Sequence, residues 1–199
     1  RRHIITLENP IEYVHPRIRS VINQRDIGAD TANFASGLRA ALRQDPDVIL
    51  VGEMRDLETI STAVTAAETG HLVFGTLHTK SAAATVDRIV DVFPPAQQEQ
   101  VRIQLAEVLE CVISQTLLPR TAGGRVAAFE ILVGNSAVRN LIRQNKSYQL
   151  ISVMQTGRDQ GMLLLDDALA ELVRSGEISA LDAAEQATDP EAFRAALFG

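Results

Sequence analysis

Residues 45–56 read DPDVILVGEMRD, and this stretch decides the fold that the sequence predicts. Its four aliphatic residues, Val48–Val51, form a continuous apolar run typical of a strand buried on both faces of a parallel sheet. The run ends in Gly52 and Glu53, so a carboxylate follows directly on a segment suited to a dry interior. Since ligands of open α/β sheets bind beyond the carboxyl ends of the strands, the stretch predicts a buried strand that presents Glu53 at a binding site.

Apolar runs and amphipathic stretches alternate on both sides of this strand. Strands are predicted at residues 3–8, 48–51 and 72–77, and helices at residues 34–43 and 57–68. The first helix follows a possible cap at Asp30 or Thr31, and the second closes at Gly70. Strands that alternate with helices in this order predict an α/β fold, with a parallel sheet and helices on its faces.

The pattern changes in the second half of the chain. Ser81 is predicted to cap a helix over residues 82–92, and a long amphipathic helix follows through Leu109 and Val112. A last strand is predicted at residues 125–133. From Asn135 onward the predicted elements are helices alone. We therefore place a domain boundary near residue 134, with an α/β core in residues 1–134 and an all-helical subdomain in residues 135–199.

Composition limits the classes of protein that are possible. The 199 residues are 46% hydrophobic, enough for one substantial core or for one core with a smaller helical appendage. A formal charge of −6 gives no global attraction to nucleic acid or anionic lipid. Cys111 is the only cysteine, which excludes an internal disulfide and a cysteine-built metal site, and its apolar neighbours predict that it is buried. No stretch approaches the roughly 18 apolar residues of a membrane span.

Polar side chains follow each of the three predicted strands. Glu8 and Glu12 flank a turn at Asn9-Pro10, Glu53 follows the second predicted strand, and His78 follows the third. A carboxylate at a cleft can orient a water molecule, and an acid after an apolar strand is how nucleotide hydrolases hold Mg²⁺, usually through water. Each position alone also fits an ordinary loop start. The three together favour a site.

Two histidines and two arginines require separate interpretation. His71 and His78 are seven residues apart, so on one strand they would point to opposite faces, which argues against a shared metal ion. His78 then fits a polar sensor at the strand end, and His71 a core histidine. Arg39 and Arg43 share one helix face and could form salt bridges with nearby acids or contact phosphate from an adjoining subunit.

Four segments together resemble a known family. They are TLENPIEY (residues 6–13), LRAALRQDPDVILVGEMRDLET (38–59), TAAETGHLVFGTLHT (65–79) and AVRNLIRQ (137–144). The first three resemble the Asp box, atypical Walker B motif and His box of secretion-type hexameric ATPases. The fourth is similar to the AIRNLIRE signature of the retraction enzymes among them, the PilT-type ATPases of twitching motility. The resemblance covers nearly all of the chain.

The resemblance implies a RecA-like P-loop NTPase core and specific roles for residues in it. Glu12 would be the general base or water-positioning carboxylate, Glu53 would hold the Mg²⁺ shell through water, and His78 would sense nucleotide. The resemblance also implies further contacts to nucleotide or phosphate, for which the candidates are Glu8, Arg39, Arg43, Arg55 and His71. Asn9 departs from the family, which usually has aspartate there, and this weakens the electrostatics of the Asp box.

The resemblance further implies an ATP- and Mg²⁺-dependent enzyme. It would form a homo-oligomeric ring, a hexamer in this family, that powers pilus retraction without binding nucleic acid. The ring would be cytoplasmic and peripheral at the bacterial inner membrane, against a platform protein of the pilus. Alternatives are a pilus-assembly or type II secretion ATPase, a non-hydrolysing accessory paralogue, and a ring-building module without catalysis.

One required element is missing from the sequence. A nucleotide hydrolase of this class needs a Walker A loop, G-x-x-x-x-G-K-[ST], and no Gly-Lys pair occurs in the chain. In the family this loop precedes the Asp box. We therefore expect the chain to be the carboxyl-terminal part of a longer ATPase, with the catalytic carboxylates but not the phosphate-binding loop, and to hydrolyse ATP negligibly by itself.

Overall fold

A computed structural model describes residues 1–198, except for the side chains of Ala192, Ala196 and Phe198. This part of the chain contains six strands and nine α-helices. The strands are β1 (His3–Glu8), β2 (Val21–Asp26), β3 (Val48–Val51), β4 (Leu72–Gly75), β5 (Cys111–Pro119) and β6 (Arg125–Val133). The helices are α1 (Phe34–Ala41), α2 (Leu57–Glu68), α3 (Ala82–Asp91), α4 (Pro95–Val108), α5 (Ser136–Arg143), α6 (Leu150–Thr156), α7 (Leu165–Arg174), α8 (Ala180–Gln186) and α9 (Pro190–Phe198). Three 3₁₀ turns lie at Leu42–Gln44, Ser147–Gln149 and Arg158–Gln160.

The chain divides into two compact units. The first contains residues 1–78 and 89–108, and the second contains residues 79–88 and the chain from Leu109 onward. This division differs from the boundary predicted near residue 134. The β5–β6 hairpin lies in the second unit because its buried face packs against α7 and α8. Gly199, the last residue of the predicted subdomain, lies outside the described residues.

The first unit is built on a four-stranded parallel sheet in the order β2-β1-β3-β4. The strand predicted at Val48–Val51 is confirmed as β3, which pairs with β1 on one side and β4 on the other. Ile49 and Val51 are fully buried, in a core with Leu7 of β1 and Leu38 of α1. The apolar run therefore forms the strand because both of its neighbours are strands and helices cover it.

Side-chain caps begin α1 and α2 of this unit. Asn33, not the predicted Asp30 or Thr31, caps α1 by accepting the Ser36 N–H at 2.8 Å. Asp56 caps α2 by accepting the Thr59 N–H at 2.8 Å, so α2 begins four residues after Glu53. The end of α2 at Gly70 agrees with the prediction, because this glycine has a φ of +97°, which other residues rarely adopt.

The second unit combines the antiparallel β5–β6 hairpin with helices α5 to α9. Its core contains Leu118 and Ala128 of the hairpin with Leu169 of α7 and Ala183 of α8. Val138 and Ile142 of α5 are also buried, which supports the core interpretation of the AVRNLIRQ segment over an exposed stripe.

Three predictions differ from the structure, two about the ends of elements and one about burial. The long helix ends at Val108, and Val112 lies in a strand instead, because residues 111–119 pair with β6 over their whole length. Cys111, predicted to be buried, is exposed at the start of β5. The third strand ends at Gly75 and not at residue 77. Among the described residues, no helix is both long enough and apolar enough to cross a membrane.

Candidate functional site

The carboxyl ends of β1 and β3 lie side by side because the two strands pair in parallel, with Leu7 opposite Val51. Gly52 follows β3, and its N–H donates to the Leu7 carbonyl at 2.7 Å. A Cβ at this position would lie 2.8 Å from that oxygen and 3.3 Å from Glu8 Cα, so only glycine allows the two backbones to approach this closely without displacement. Parallel pairing therefore places Glu8 and Glu53 at the same end of the sheet, and Gly52 keeps their backbones close there.

Glu53 lies at the centre of a charged cluster. Its Oε2 is 2.8 Å from the guanidinium of Arg55 and 3.6 Å from Nε2 of His78. The Glu53 side chain is 24% exposed, whereas Arg55 and His78 are 69% and 74% exposed. Ion pairs this open to solvent contribute little to stability, so the cluster is a poor candidate for a stabilising device. It holds a carboxylate, a guanidinium and an imidazole within reach of solvent.

His78 reaches the cluster because the segment after β4 runs beside the segment after β3. The Met54 N–H donates to the Thr76 carbonyl at 2.9 Å, and the Thr76 hydroxyl donates to the Gly52 carbonyl. Gly75 lies against the Met54 side chain, where a Cβ would collide with the thioether. These contacts extend the pairing of two neighbouring strands past their ends, and His78 follows two residues beyond Thr76.

Glu8 is held at the same edge by hydrogen bonds. Its Oε1 accepts the Thr6 hydroxyl at 2.5 Å and the side-chain amide of Gln24 at 2.9 Å. Thr6 is buried and belongs to β1, and Gln24 belongs to the neighbouring β2. Glu8 is therefore a fixed, partly buried carboxylate and not a loop residue that points freely into solvent.

Glu12 lies in the exposed loop after β1, which begins with a cis peptide bond between Asn9 and Pro10. Within the described residues, no hydrogen bond or ion pair joins Glu12 to Glu53 or His78. The structure therefore brings Glu53 and His78 together directly and places Glu12 on a loop that leaves the same edge of the sheet.

The remaining candidates lie elsewhere. Arg39 forms an ion pair with Glu58 in the first turn of α2, and Arg43 is exposed in the 3₁₀ turn that precedes β3. His71 precedes β4, where its Nδ1 lies 2.9 Å from the Ala66 carbonyl, so it stands at the opposite end of that strand from His78. Neither histidine belongs to β4 itself, so the expectation of opposite faces on one strand does not apply.

Gln24 and Asp26 are parts of the site that sequence reasoning missed. Both lie on β2, which was not predicted because VINQRD has only two apolar residues. They are two residues apart and so lie on the same side of the strand. The sequence contained only a weak signal for this strand. Two apolar residues between two turns are followed by polar residues at every second position, in the part of the chain next to the Asp box.

The donor set around Glu53 fits a metal ion bound indirectly. No group of three or more histidine, cysteine or carboxylate side chains that could hold an ion occurs among the described residues. Mg²⁺ usually keeps several waters and takes one or two carboxylates together with substrate phosphates. Glu53, a single carboxylate at a solvent-accessible strand end, suits that mode of binding.

The first unit is an α/β fold whose parallel sheet presents an acid, Glu53, at the carboxyl end of β3, where the ligands of such sheets bind. The chain belongs to the type II/IV secretion system protein family, whose model matches residues 1–186.

Relatives and a solved structure make the similarity more specific. The chain is 58% identical over 191 residues to "Type IV pilus retractation ATPase PilT" of Pseudomonas aeruginosa, covering 96% of this chain and 56% of the relative. It is 59% identical over 190 residues to "Twitching motility protein" of Neisseria gonorrhoeae, covering 95% and 51%. "Crystal Structure of the Pilus Retraction Motor PilT and Bound ADP" superposes with a TM-score of 0.89 at 56% identity, covering 96% of this chain and 54% of that one. The chain thus spans about half the length of these proteins.

Proposed function

We propose that this chain is the catalytic part of an ATP-hydrolysing motor that powers type IV pilus retraction. The observation that carries the proposal is the Glu53 cluster, in which a carboxylate after the central strand lies 3.6 Å from an imidazole and 2.8 Å from a guanidinium. The names of two similar proteins support the proposal. One is a pilus retraction ATPase at 58% sequence identity, and the other is a pilus retraction motor solved with ADP at 56% sequence identity.

In this proposal each polar group of the site has one task. Glu53 would hold a Mg²⁺ ion through water, and the ion would offset the charge of the nucleotide phosphates. Glu12 accepts a proton from the attacking water or orients that water. Arg55 and His78 lie beside the Glu53 carboxylate and contact the nucleotide phosphate, so His78 reports whether the phosphate is present.

The ring-forming part of the proposal concerns the arginines. Arg39 lies near the end of α1, Arg43 lies in the turn after it, and both are exposed. In a homo-oligomeric, hexameric ring, such arginines would supply positive charge to the site of an adjoining subunit. For Arg39 this requires release from Glu58. The ring would act in the cytoplasm at the inner membrane, on a platform protein of the pilus.

A hydrolysis assay on the protein encoded by the complete gene tests the catalytic part. We expect Mg²⁺-dependent phosphate release that EDTA abolishes and that Glu53→Gln lowers by at least about 100-fold, because the carboxylate charge is lost while the shape is kept. Glu68→Gln is the matched control, since Glu68 is a carboxylate on α2 that accepts a hydrogen bond from Gln104 at 2.9 Å. Equal activity of wild type and Glu53→Gln would falsify the assignment of Glu53.

A non-hydrolysing accessory paralogue is a second candidate, favoured by Asn9, which removes a negative charge from the loop between Glu8 and Glu12. The two candidates differ in a genetic test. The complete gene, introduced into a retraction-deficient strain of Pseudomonas aeruginosa, should restore twitching if the protein is the motor. Restoration by the Glu53→Gln variant as well would favour the accessory or ring-building function.

A further inference from the structure

We propose that Gln24 is a positioning residue that holds the Glu12 loop in its working conformation. The inference rests on the proposed function of Glu12 and extends it to a residue that does not touch the nucleotide. Gln24 lies on β2, beside β1, so its side chain reaches the loop that leaves β1 after Glu8.

The amide of Gln24 makes three hydrogen bonds with partners before and after Glu12. Its Nε2 donates to Glu8 Oε1 at 2.9 Å and to the Tyr13 carbonyl at 2.8 Å. Its Oε1 accepts the His15 N–H at 2.8 Å. A glutamine amide has two N–H donors, and here each has an acceptor while the carbonyl has a donor. The side chain therefore connects the end of β1 to the far side of the loop.

Asp26 completes the arrangement from the same strand. It is two residues from Gln24, so both side chains lie on one side of β2, and its Oδ2 accepts the Ile11 N–H at 3.2 Å. Ile11 and Tyr13 are the two chain neighbours of Glu12. The backbone is thus held immediately before and immediately after the proposed general base.

Apolar packing cannot supply this positioning. Tyr13, Val14 and Ile18 of the loop are 65%, 78% and 83% exposed, so the loop buries little hydrophobic surface. A loop with few buried contacts is held by its hydrogen bonds, and loss of these bonds allows it to move. Because the proton-accepting carboxylate must be placed within hydrogen-bond reach of its target, movement of the loop lowers the rate of chemistry more than it lowers nucleotide affinity.

The donors and acceptors around Gln24 require a glutamine at this position. Glutamate at position 24 would keep an acceptor for the His15 N–H but would lose both donors. It would also place a carboxylate next to Glu8 Oε1 and the Tyr13 carbonyl, two groups that now accept hydrogen bonds from Gln24. Alanine removes all three bonds without adding repulsion.

Steady-state kinetics on the protein from the complete gene test the inference. We expect Gln24→Ala and Gln24→Glu to lower kcat by about 10- to 100-fold, the cost of a misplaced catalytic group, with the KM for ATP within about twofold of wild type. The number of ADP molecules bound per chain should not change. Gln104→Ala is the control, because it removes one exposed glutamine hydrogen bond, to Glu68, in the same unit.

Amide hydrogen exchange gives a readout that does not need activity. Gln24→Ala should abolish the protection of the His15 amide, which donates to Gln24, while Gln104→Ala leaves it unchanged. Unchanged exchange at His15, or a kcat within about threefold of the Gln104→Ala variant, overturns the inference. A loss of ADP binding in step with kcat also overturns it, because that result indicates a merely structural role.

The same set of variants separates this inference from the proposed function. If Glu12→Gln abolishes hydrolysis and Gln24→Ala does not lower it, the motor assignment stands and the role of Gln24 is rejected. If the wild-type protein releases no phosphate, the proposed function fails, and the exchange measurement still decides whether Gln24 holds the loop.

Discussion

Oε2 of Glu53 lies 3.6 Å from Nε2 of His78, although the two residues are separated by α2 and β4 in the chain. Hydrogen bonds between the segments after β3 and β4 create this proximity, through the Met54 N–H and the Thr76 hydroxyl. In the proposed function, this proximity places His78 beside the carboxylate that would hold Mg²⁺, where it would be close to a nucleotide phosphate.

His78→Ala tests this relationship. We expect kcat for ATP hydrolysis by the protein from the complete gene to fall by about 100-fold, the lower end of the range for a lost acid or base group at a catalytic site. His71→Ala is the matched comparison and should have a smaller effect, because His71 lies at the other end of β4 and contacts Ala66 and Thr69. A larger loss for His71→Ala would reverse the assignment of the two histidines.

Gly52→Ala should destabilise the protein and impair the site together. The added Cβ would lie 2.8 Å from the Leu7 carbonyl oxygen, a backbone atom that cannot rotate away. We expect the free energy of unfolding to fall by about 1 to 3 kcal/mol, as for other overpacked positions, measured by urea denaturation. Gly37→Ala is the comparison, since its Cβ would meet side-chain atoms of Leu7 and Thr31 at 3.0 Å, and these can shift. Equal losses for the two variants would show that the backbone contact is not limiting.

Glu130 should contribute to stability through one buried hydrogen bond. Its side chain is 8% exposed, and Oε1 accepts the Ala82 N–H, at the start of α3, at 2.7 Å. Glu130→Ala leaves that donor unpaired, so we expect a loss of about 1 to 3 kcal/mol in thermal or urea unfolding. Glu130→Gln keeps an acceptor oxygen and should retain most of the stability. A loss as large for glutamine as for alanine would indicate that the charge, and not the hydrogen bond, is required.

Asp47 should make stability depend on pH in the acid range. Its carboxylate accepts the His3 N–H and a hydrogen bond from Arg2, each at 2.7 Å, and these contacts lower the pKa of Asp47 below its ordinary value of 3.8. A carboxyl whose pKa is lower in the folded state stabilises the fold above the unfolded value. That stabilisation is lost as the pH falls through the folded value.

The measurement is the urea midpoint of wild type and Asp47→Asn at several pH values on both sides of 3.8. The wild type should lose its advantage over Asp47→Asn as the pH is lowered. Glu185→Gln, which changes an exposed carboxyl on α8, serves as the control and should not alter the pH dependence. A constant difference between wild type and Asp47→Asn at all pH values would contradict the linkage.

Local sequence signals predicted the elements that have strong patterns of their own. The aliphatic run of β3 and the glycine at the end of α2 can each be identified without knowledge of their partners. β2 and β5 could not be identified in this way. β2 is largely polar and is a strand because β1 offers a parallel edge to it, and β5 has an apolar pattern that a helix could also accommodate until β6 pairs with it.

The sequence by itself determined which groups are available for chemistry, and that Glu53 stands at the end of a buried strand, because an apolar run followed by glycine and an acid permits few other structures. Tertiary structure alone decided which of these groups meet. Glu53 lies beside His78 and not His71, and Glu8 and the Glu12 loop are tied to Gln24, because parallel pairing aligns the ends of strands that are distant in the chain. Hydrogen bonds between such strands depend on their register, which a largely polar strand such as β2 specifies only weakly by its own pattern.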